Sequence, residues 1–226
     1  MKRSQINSAI IWAKALLRAY SISLPAYAEW SPAQWKEKRG ETDIIRRLML
    51  GWDITDFGCG DFDSIGTVLY TLRNGSHEDP AIGVPYCEKV LLLKDSQRLP
   101  KHYHVKKTED IINRAGGLLQ VFLWNADPKT GAQLDTPVNV FQDGILHTYA
   151  PGEEILLSPG NSISLTPYMA HVFGAKAGTG DLICGEVSKV NDDLTDNFFM
   201  EQTARFPAVE EDEPPLHPLC NEYDAV

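Results

Sequence analysis

Four residues of this chain have the types and spacing to hold a metal ion: His102, His104, Glu109 and His171. The first three fall in the run H-Y-H-V-K-K-T-E, a His-x-His pair followed by a carboxylate. In a β-strand, side chains two apart share a face, so both imidazoles can aim at one point while Tyr103 turns away. The polar stretch Val105-Lys106-Lys107-Thr108 can turn the chain and return Glu109 to that point. Three nitrogens and one hard oxygen suit a divalent transition ion and leave positions open for water or substrate. A lone histidine is more often a core or surface residue, and His77, His147 and His217 are read that way.

Such ligands need a scaffold. At 226 residues the chain can bury a substantial core as one domain. Apolar residues at 43% and charged residues at 23% are ordinary for a globular protein. The net charge of −10, with 21 Lys and Arg against 31 acids and no long basic run, argues against nucleic acid and anionic membranes as partners. Cys59, Cys87, Cys184 and Cys220 are widely spaced, form no C-x-x-C pair, and read as buried free thiols. Lys2 and Arg3 before apolar residues, with Ala26-Tyr27-Ala28 beyond, outline an export signal. Lys14 and Arg18 interrupt its apolar stretch, however, and no run approaches a membrane span, so the expected location is the cytoplasm.

Ile6, Ile10, Ala13 and Leu17 mark one face of a helix, with Ser4 as its N-cap. Ser31-Pro32 opens a second helix that stops at Gly40, and Trp30 and Trp35 pack onto the body. After about Gly51 the texture changes to short apolar or alternating runs. Strands are expected over 66–73, 86–94, 101–105, 118–125, 152–157, 162–165, 171–175 and 181–190, with turn signals at Asn74-Gly75, Asp127-Pro128, Asp143-Gly144 and Pro159-Gly160. Many short strands at this spacing mean a mainly β sandwich or closed barrel. The tail from Pro207, with Glu210-Glu211-Asp212-Glu213-Pro214-Pro215, reads as an irregular strap or partly disordered. The expected organisation is a helical extension over 1–50, a barrel over 51–190, and a substrate-side loop and strap over 191–226, one domain in all and without internal repeats.

His-x-His-x4-Glu followed by Gly116 resembles the first motif of the cupins, and His171, 62 residues after Glu109, is similar to the histidine of their second. The resemblance implies a double-stranded β-helix of jelly-roll type with the metal in its mouth. Two glycines of the pattern are missing: Ser96 stands six residues before the first histidine, and Pro167-Tyr168-Met169-Ala170-His171 takes the place of P-x-G-x-x-H. A further run is Leu182-Ile183-Cys184-Gly185-Glu186-Val187-Ser188-Lys189-Val190-Asn191-Asp192-Asp193 through Asp196-Asn197. With Lys101-His102-Tyr103-His104 and Glu109-Asp110-Ile111-Ile112-Asn113-Arg114-Ala115-Gly116-Gly117, it resembles the D-lyxose isomerases over nearly the whole chain. That resemblance implies a manganese-dependent, homodimeric aldose–ketose isomerase. Its reactions would interconvert D-lyxose with D-xylulose and D-mannose with D-fructose through a cis-enediol.

Such a reaction moves one proton between C1 and C2 and another between O1 and O2. A divalent ion can polarise the carbonyl as a Lewis acid, and four protein ligands leave two positions on an octahedral ion. Mn²⁺ tolerates the mixed donor set, as do Fe²⁺, Co²⁺, Ni²⁺ and Zn²⁺. Glu186, sharing a strand face with Cys184 and Ser188, is the candidate base. Lys89, in an otherwise apolar run, is the candidate donor to the developing oxyanion. The plainer alternative has Lys89 reaching out of a strand end, or pairing structurally with Glu186. Asp192, Asp193 and Asn197 are candidate sugar-binding groups or an ordinary Asx-turn loop, and Gln120 is a further candidate for the pocket. Two other functions use the same ligands. A cupin dioxygenase would hold Fe²⁺ above an apolar cavity, and a sugar-binding or storage cupin would show no turnover.

Overall fold

The 3.6-residue spacing of Ile6, Ile10, Ala13 and Leu17 folds into α1 (Arg3–Ala19), with all four side chains buried. The computed structural model describes every residue except Leu194, Gln202, Pro207 and Val226. The N-cap of α1 is Lys2 rather than Ser4. Ser4 donates its hydroxyl and backbone N–H to the Asp212 carboxylate, at 2.7 and 2.9 Å, so the tail delivers negative charge to the positive end of the helix. Ser31 and Pro32 open α2 (Pro32–Glu37) through a reciprocal capping box with Gln34. It ends short of Gly40, and a further short helix, α3 (Asp43–Arg47), leads into the strands. Trp35 is buried and stacks on Tyr223 at 4.3 Å.

The strands are β1 (Gly51–Thr55), β2 (Thr67–Gly75), β3 (Gly83–Leu93), β4 (His102–Tyr103), β5 (Glu109–Gly116), β6 (Leu119–Ala126) and β7 (Gln133–Leu134). After them come β8 (Val138–Gln142), β9 (Ile145–Tyr149), β10 (Ile155–Leu157), β11 (Ser162–Leu165), β12 (Met169–Ala175), β13 (Leu182–Ser188) and β14 (Phe198–Phe199). An eight-stranded antiparallel sheet runs β1-β2-β3-β13-β5-β11-β8-β9, and a smaller one runs β10-β6-β12-β4-β14 with β7 on β6. Strands distant in the chain are paired in both sheets, with β13 between β3 and β5 in one and β12 between β6 and β4 in the other. The result is a mainly β jelly-roll barrel, with helices added at the N-terminus.

Leu69, Leu91, Leu93, Ile111 and Cys184 of the large sheet meet Leu119, Val121, Leu123, Met169 and Phe173 of the small one in the core. The other face of the large sheet is covered as well, because Val68, Tyr70, Leu92 and Ile183 pack under α1. Burial on both faces explains the unbroken apolar run at 90–93. Several stretches outside the expected strands are also extended: β1, β5, the short β7 and β14, and the β8–β9 hairpin. β5 alternates buried Ile111, Asn113 and Ala115 with more exposed residues, so its polar content conceals it. The β8–β9 hairpin turns at Asp143-Gly144 and leaves Phe141, Ile145 and Leu146 exposed, which breaks the usual alternation.

From Ala208 to Ala225 the tail is a packed strap. Arg3, only 2% exposed, is bonded by Glu211 and Glu222, while Asn7 donates to Glu213 and to the Pro214 carbonyl. Of the acids that suggest disorder in isolation, Glu211 pairs with this buried guanidinium, Asp212 with Ser4 and Glu213 with Asn7. Pro207, where the expected tail begins, lies outside the described residues, as do Leu194, Gln202 and Val226 of the 191–226 segment. Cys87, Cys184 and Cys220 are buried free thiols, whereas Cys59 is free but exposed, in a loop whose N–H groups at Gly58 and Gly60 bond Asp56. Among the described residues, no helix is long and apolar enough to cross a membrane.

Candidate metal centre and active site

The two sheets bring their residues together at one end of the barrel. His102 on β4 and His171 on β12 stand directly opposite in antiparallel register, which brings their Nε2 atoms to 3.1 Å. His104 lies just beyond β4, while Tyr103 turns outward and stacks on Phe198 and Tyr168. Glu109 opens β5 of the large sheet, with Oε1 3.4 Å from His104 Nε2 and 3.3 Å from His171 Nε2. All four side chains are buried, and their ligand atoms lie within 4.8 Å of one another.

The histidine tautomers are set from behind. Nδ1 of His102, His104 and His171 lies 2.9, 2.6 and 2.9 Å from the backbone carbonyls of Pro100, Asp196 and Met169. A carbonyl only accepts, so each Nδ1 carries the proton and each Nε2 turns a lone pair inward. Burial, reinforced by His171 and His104, holds His102 well below the ordinary imidazole range, in its neutral ligating form. His104 Nε2 is buried without a hydrogen-bond partner, and the lone pairs of His102 and His171 face each other. Both arrangements are costly unless a cation lies among them. The donor set therefore fits a divalent transition ion, with bonds of about 2.0–2.3 Å.

Asp196 builds the turn between the ligands. Its carboxylate accepts the N–H groups of Val105, Lys106 and Lys107 at 2.8 to 2.9 Å, while its carbonyl takes the His104 proton. The missing glycines of the cupin pattern leave their conformations behind. Ser96 and Tyr168 sit at φ +71° and +61°, in the left-handed region that glycine enters freely and other residues reach at about 1–2 kcal/mol.

Beside the ligands runs a row of buried charge. Lys107 Nζ lies 2.8 Å from Glu109 Oε2 and 3.0 Å from Glu186 Oε1. Lys89 Nζ lies 3.4 Å from the same Glu186 oxygen and donates to Asn191 Oδ1 at 2.9 Å. The register explains this: on β13, Glu186 pairs with Lys89 of β3, and Ser188 pairs with Glu109 of β5. Lys89 is 4% exposed and does not reach out of its strand end. Burial pushes the Glu186 carboxyl up, but the Lys107 and Lys89 ammonium groups outweigh it and hold it below the usual carboxylate range. Burial likewise lowers Lys107, and Glu109 and Glu186 more than reverse that. At neutral pH the site thus holds an ionised carboxylate between two charged ammonium groups.

The cavity here measures about 40 Å³, room for a few waters, and Asp193 and Asn197 line it with these residues. Asn197 donates to Asp193 at 2.9 Å, and Arg205 donates to the same carboxylate at 3.0 Å. Asp192 instead folds into its own turn, accepting the Thr195 N–H at 3.0 Å, and lines a separate outer groove. Gln120 does not line the cavity. It lies between inward-facing Leu119 and Val121 on β6, so it faces outward, where it bonds Glu154. The sequence reading does not single out Lys107, Asp196, Arg205 or Asp53. For Lys107 a signal exists: it precedes Glu109 by two residues, the spacing that shares a strand face.

Solved structures that share this fold include L-ribose isomerases. Cellulomonas parahominis L-ribose isomerase with no ligand superposes with a TM-score of 0.58 at 17% identity, covering 93% of this chain and 98% of that one. The Acinetobacter sp. DL28 enzyme in complex with L-ribose gives 0.51 at 16% identity, covering 82% and 100%. In sequence, the D-lyxose/D-mannose isomerase of Escherichia coli O157:H7 is 43% identical over 224 residues, 99% of this chain and 98% of that protein. The D-lyxose/D-mannose isomerase of Serratia proteamaculans matches to the same extent. By fold and relatives, this chain is a sugar aldose–ketose isomerase built on a jelly-roll barrel. It belongs to the D-lyxose isomerase family, whose model matches residues 1–223.

Proposed function

We propose that the enzyme interconverts D-lyxose with D-xylulose and D-mannose with D-fructose through a cis-enediol, using Mn²⁺ held by His102, His104, Glu109 and His171. The observation that carries this reading is Lys107, which bridges the ligand Glu109 and the non-ligand Glu186 at 2.8 and 3.0 Å. It joins a metal-binding cluster to an acid–base pair in one buried site. When bound, the ion supplies Lewis acidity that polarises the sugar carbonyl. Glu186, ionised by its two lysines, takes the proton from one carbon and returns it to the neighbouring one. Lys89 and Lys107, kept charged by the carboxylates around them, donate to O1 and O2 as negative charge develops there. Asp193 and Asn197 bind sugar hydroxyls from the covering segment.

Incubation of purified protein with D-lyxose and with D-mannose tests the proposal directly. D-Xylulose and D-fructose are expected to form, to vanish with a chelator, and to return with added Mn²⁺. A protein that makes neither ketose under any of these conditions would defeat the reading.

We further propose a cytoplasmic homodimer in which residues 1–50, the barrel over 51–190 and the segment over 191–226 form one folded unit. Free cysteines fit a reducing compartment. The exposed Phe141, Ile145 and Leu146 of the β8–β9 hairpin offer apolar surface for a second copy. Sedimentation at micromolar concentration should give twice the chain mass of 25.2 kDa, with an interface on the order of 1,600 Å² or more. A single species at the chain mass would count against the dimer.

A further inference from the structure

Arg205 is fastened to β1 by both its backbone and its side chain. Its carbonyl accepts the Thr55 hydroxyl at 3.2 Å, and the preceding Ala204 N–H bonds the Phe57 carbonyl at 2.7 Å. Its Nη2 donates to Asp53 and, at 3.0 Å, to Asp193. Asp53 is 5% exposed in a strand whose residues are all buried, so its carboxylate is a fixed point. Two carboxylates therefore claim one guanidinium nitrogen. The other, Nη1, is buried without a hydrogen-bond partner, on a side chain that lines the cavity. An orphaned N–H in such a place is costly unless an arriving group accepts from it.

The charge of this guanidinium is already answered by Asp53 and Asp193. What it still lacks is a neutral acceptor, and a sugar hydroxyl is one. Arg205 contacts Asp53 and Asp193 rather than the histidines, while Lys107 and Glu186 occupy the side next to the ligands. A sugar whose first two carbons lie at Glu186 would thus present a later hydroxyl to Arg205.

We propose that Asp53 is a positioning residue for substrate recognition: by holding Nη2 jointly with Asp193, it keeps Nη1 of Arg205 free to donate to a sugar hydroxyl remote from the reacting carbons. This rests on the isomerase reading above. Lysine at position 205 has one terminal nitrogen and cannot hold both carboxylates and also face the ligand.

Steady-state kinetics with D-lyxose on the metal-loaded protein test the idea. In Asp53→Asn and in Arg205→Lys, KM should rise roughly tenfold to a hundredfold while kcat changes far less. The double variant should be no worse than Arg205→Lys alone, because Asp53 acts only through that side chain. A merely structural role would lower the active fraction, and with it kcat, without moving KM. An unchanged KM in Asp53→Asn overturns the proposal, and so does a double variant whose two effects multiply. If Asp53→Asn does not fold, Asp53→Glu keeps the charge, displaces the carboxylate by one methylene, and is held to the same criteria. A wild-type protein that turns over no free aldose would overturn the isomerase reading itself, a result separate from any difference among variants.

Discussion

His104→Ala protein is expected to lose most of its metal affinity, roughly a hundredfold or more, and its isomerase activity with it. The reason lies in how the ligands are held. His104 is oriented by the Asp196 carbonyl at 2.6 Å, and its inward Nε2 has no hydrogen-bond partner in the protein. Alanine deletes a donor for which no neighbouring residue can substitute, and Glu109 would keep only its contacts to Lys107 and His171. Metal content after exhaustive dialysis, measured beside activity with and without added Mn²⁺, separates loss of the ion from loss of the fold. His217→Ala is the control, since His217 belongs to the strap and packs against Lys14 and the Trp30 carbonyl, with no place among the clustered donors. Full metal occupancy and normal activity in His104→Ala protein would remove this residue from the centre.

Glu186→Gln should retain the metal and nearly the same side-chain volume, yet slow isomerisation by ~10²–10⁴-fold, the range for losing a general acid–base group. Glu186 is not among the four clustered donors, so metal content should stay normal. Its loss does leave Lys89 and Lys107 with less compensating charge, and a modest drop in melting temperature is expected alongside. Reaction of the wild-type enzyme in D₂O distinguishes the route. A proton carried by Glu186 can exchange with solvent and place deuterium on the product carbon, whereas a hydride shift carries hydrogen across unexchanged. Activity retained in Glu186→Gln excludes the residue as the base, and product without any deuterium weighs heavily against the enediol. Partial exchange fits a sheltered carboxylate that returns its proton faster than water reaches it.

The His-x-His pair is open to a sequence reading because a strand's period of two is local; β4 ends at Tyr103, short of the expected 101–105, yet His104 still joins His102 in the cluster, and the pairing of His102 with His171 adds the third histidine. Glu186 and Lys89 were legible on the same principle, as polar residues at inward positions of apolar strands. Gln120 shows the principle neglected: its neighbours Leu119, Val121 and Leu123 occupy the inward parity, which leaves Gln120 outside. Lys107 was hidden differently, since two adjacent lysines in a polar turn look solvated until the Asp196 carboxylate folds that turn inward. Arg205 and Asp53 had no local signature. Their bond spans 152 positions, and it depends on a covering segment meeting the first strand. The helical and barrel portions declare themselves through periodicity. The strap does not, because its acids pair with Arg3 at the opposite end of the chain.

Asp196 carries a consequence for how such a centre can be inherited. Every ligand lies between His102 and His171, so the motif looks like a self-contained cassette. Yet the carbonyl that fixes the His104 tautomer, and the carboxylate that shapes the return to Glu109, come from 92 positions downstream of that histidine. A barrel truncated at Ser188, or a recombinant taking its C-terminal segment from an unrelated parent, would keep all four ligands and lose the residue that aims one of them. The centre is modular to the eye but not to recombination: the ligand strands and the covering segment have to travel together.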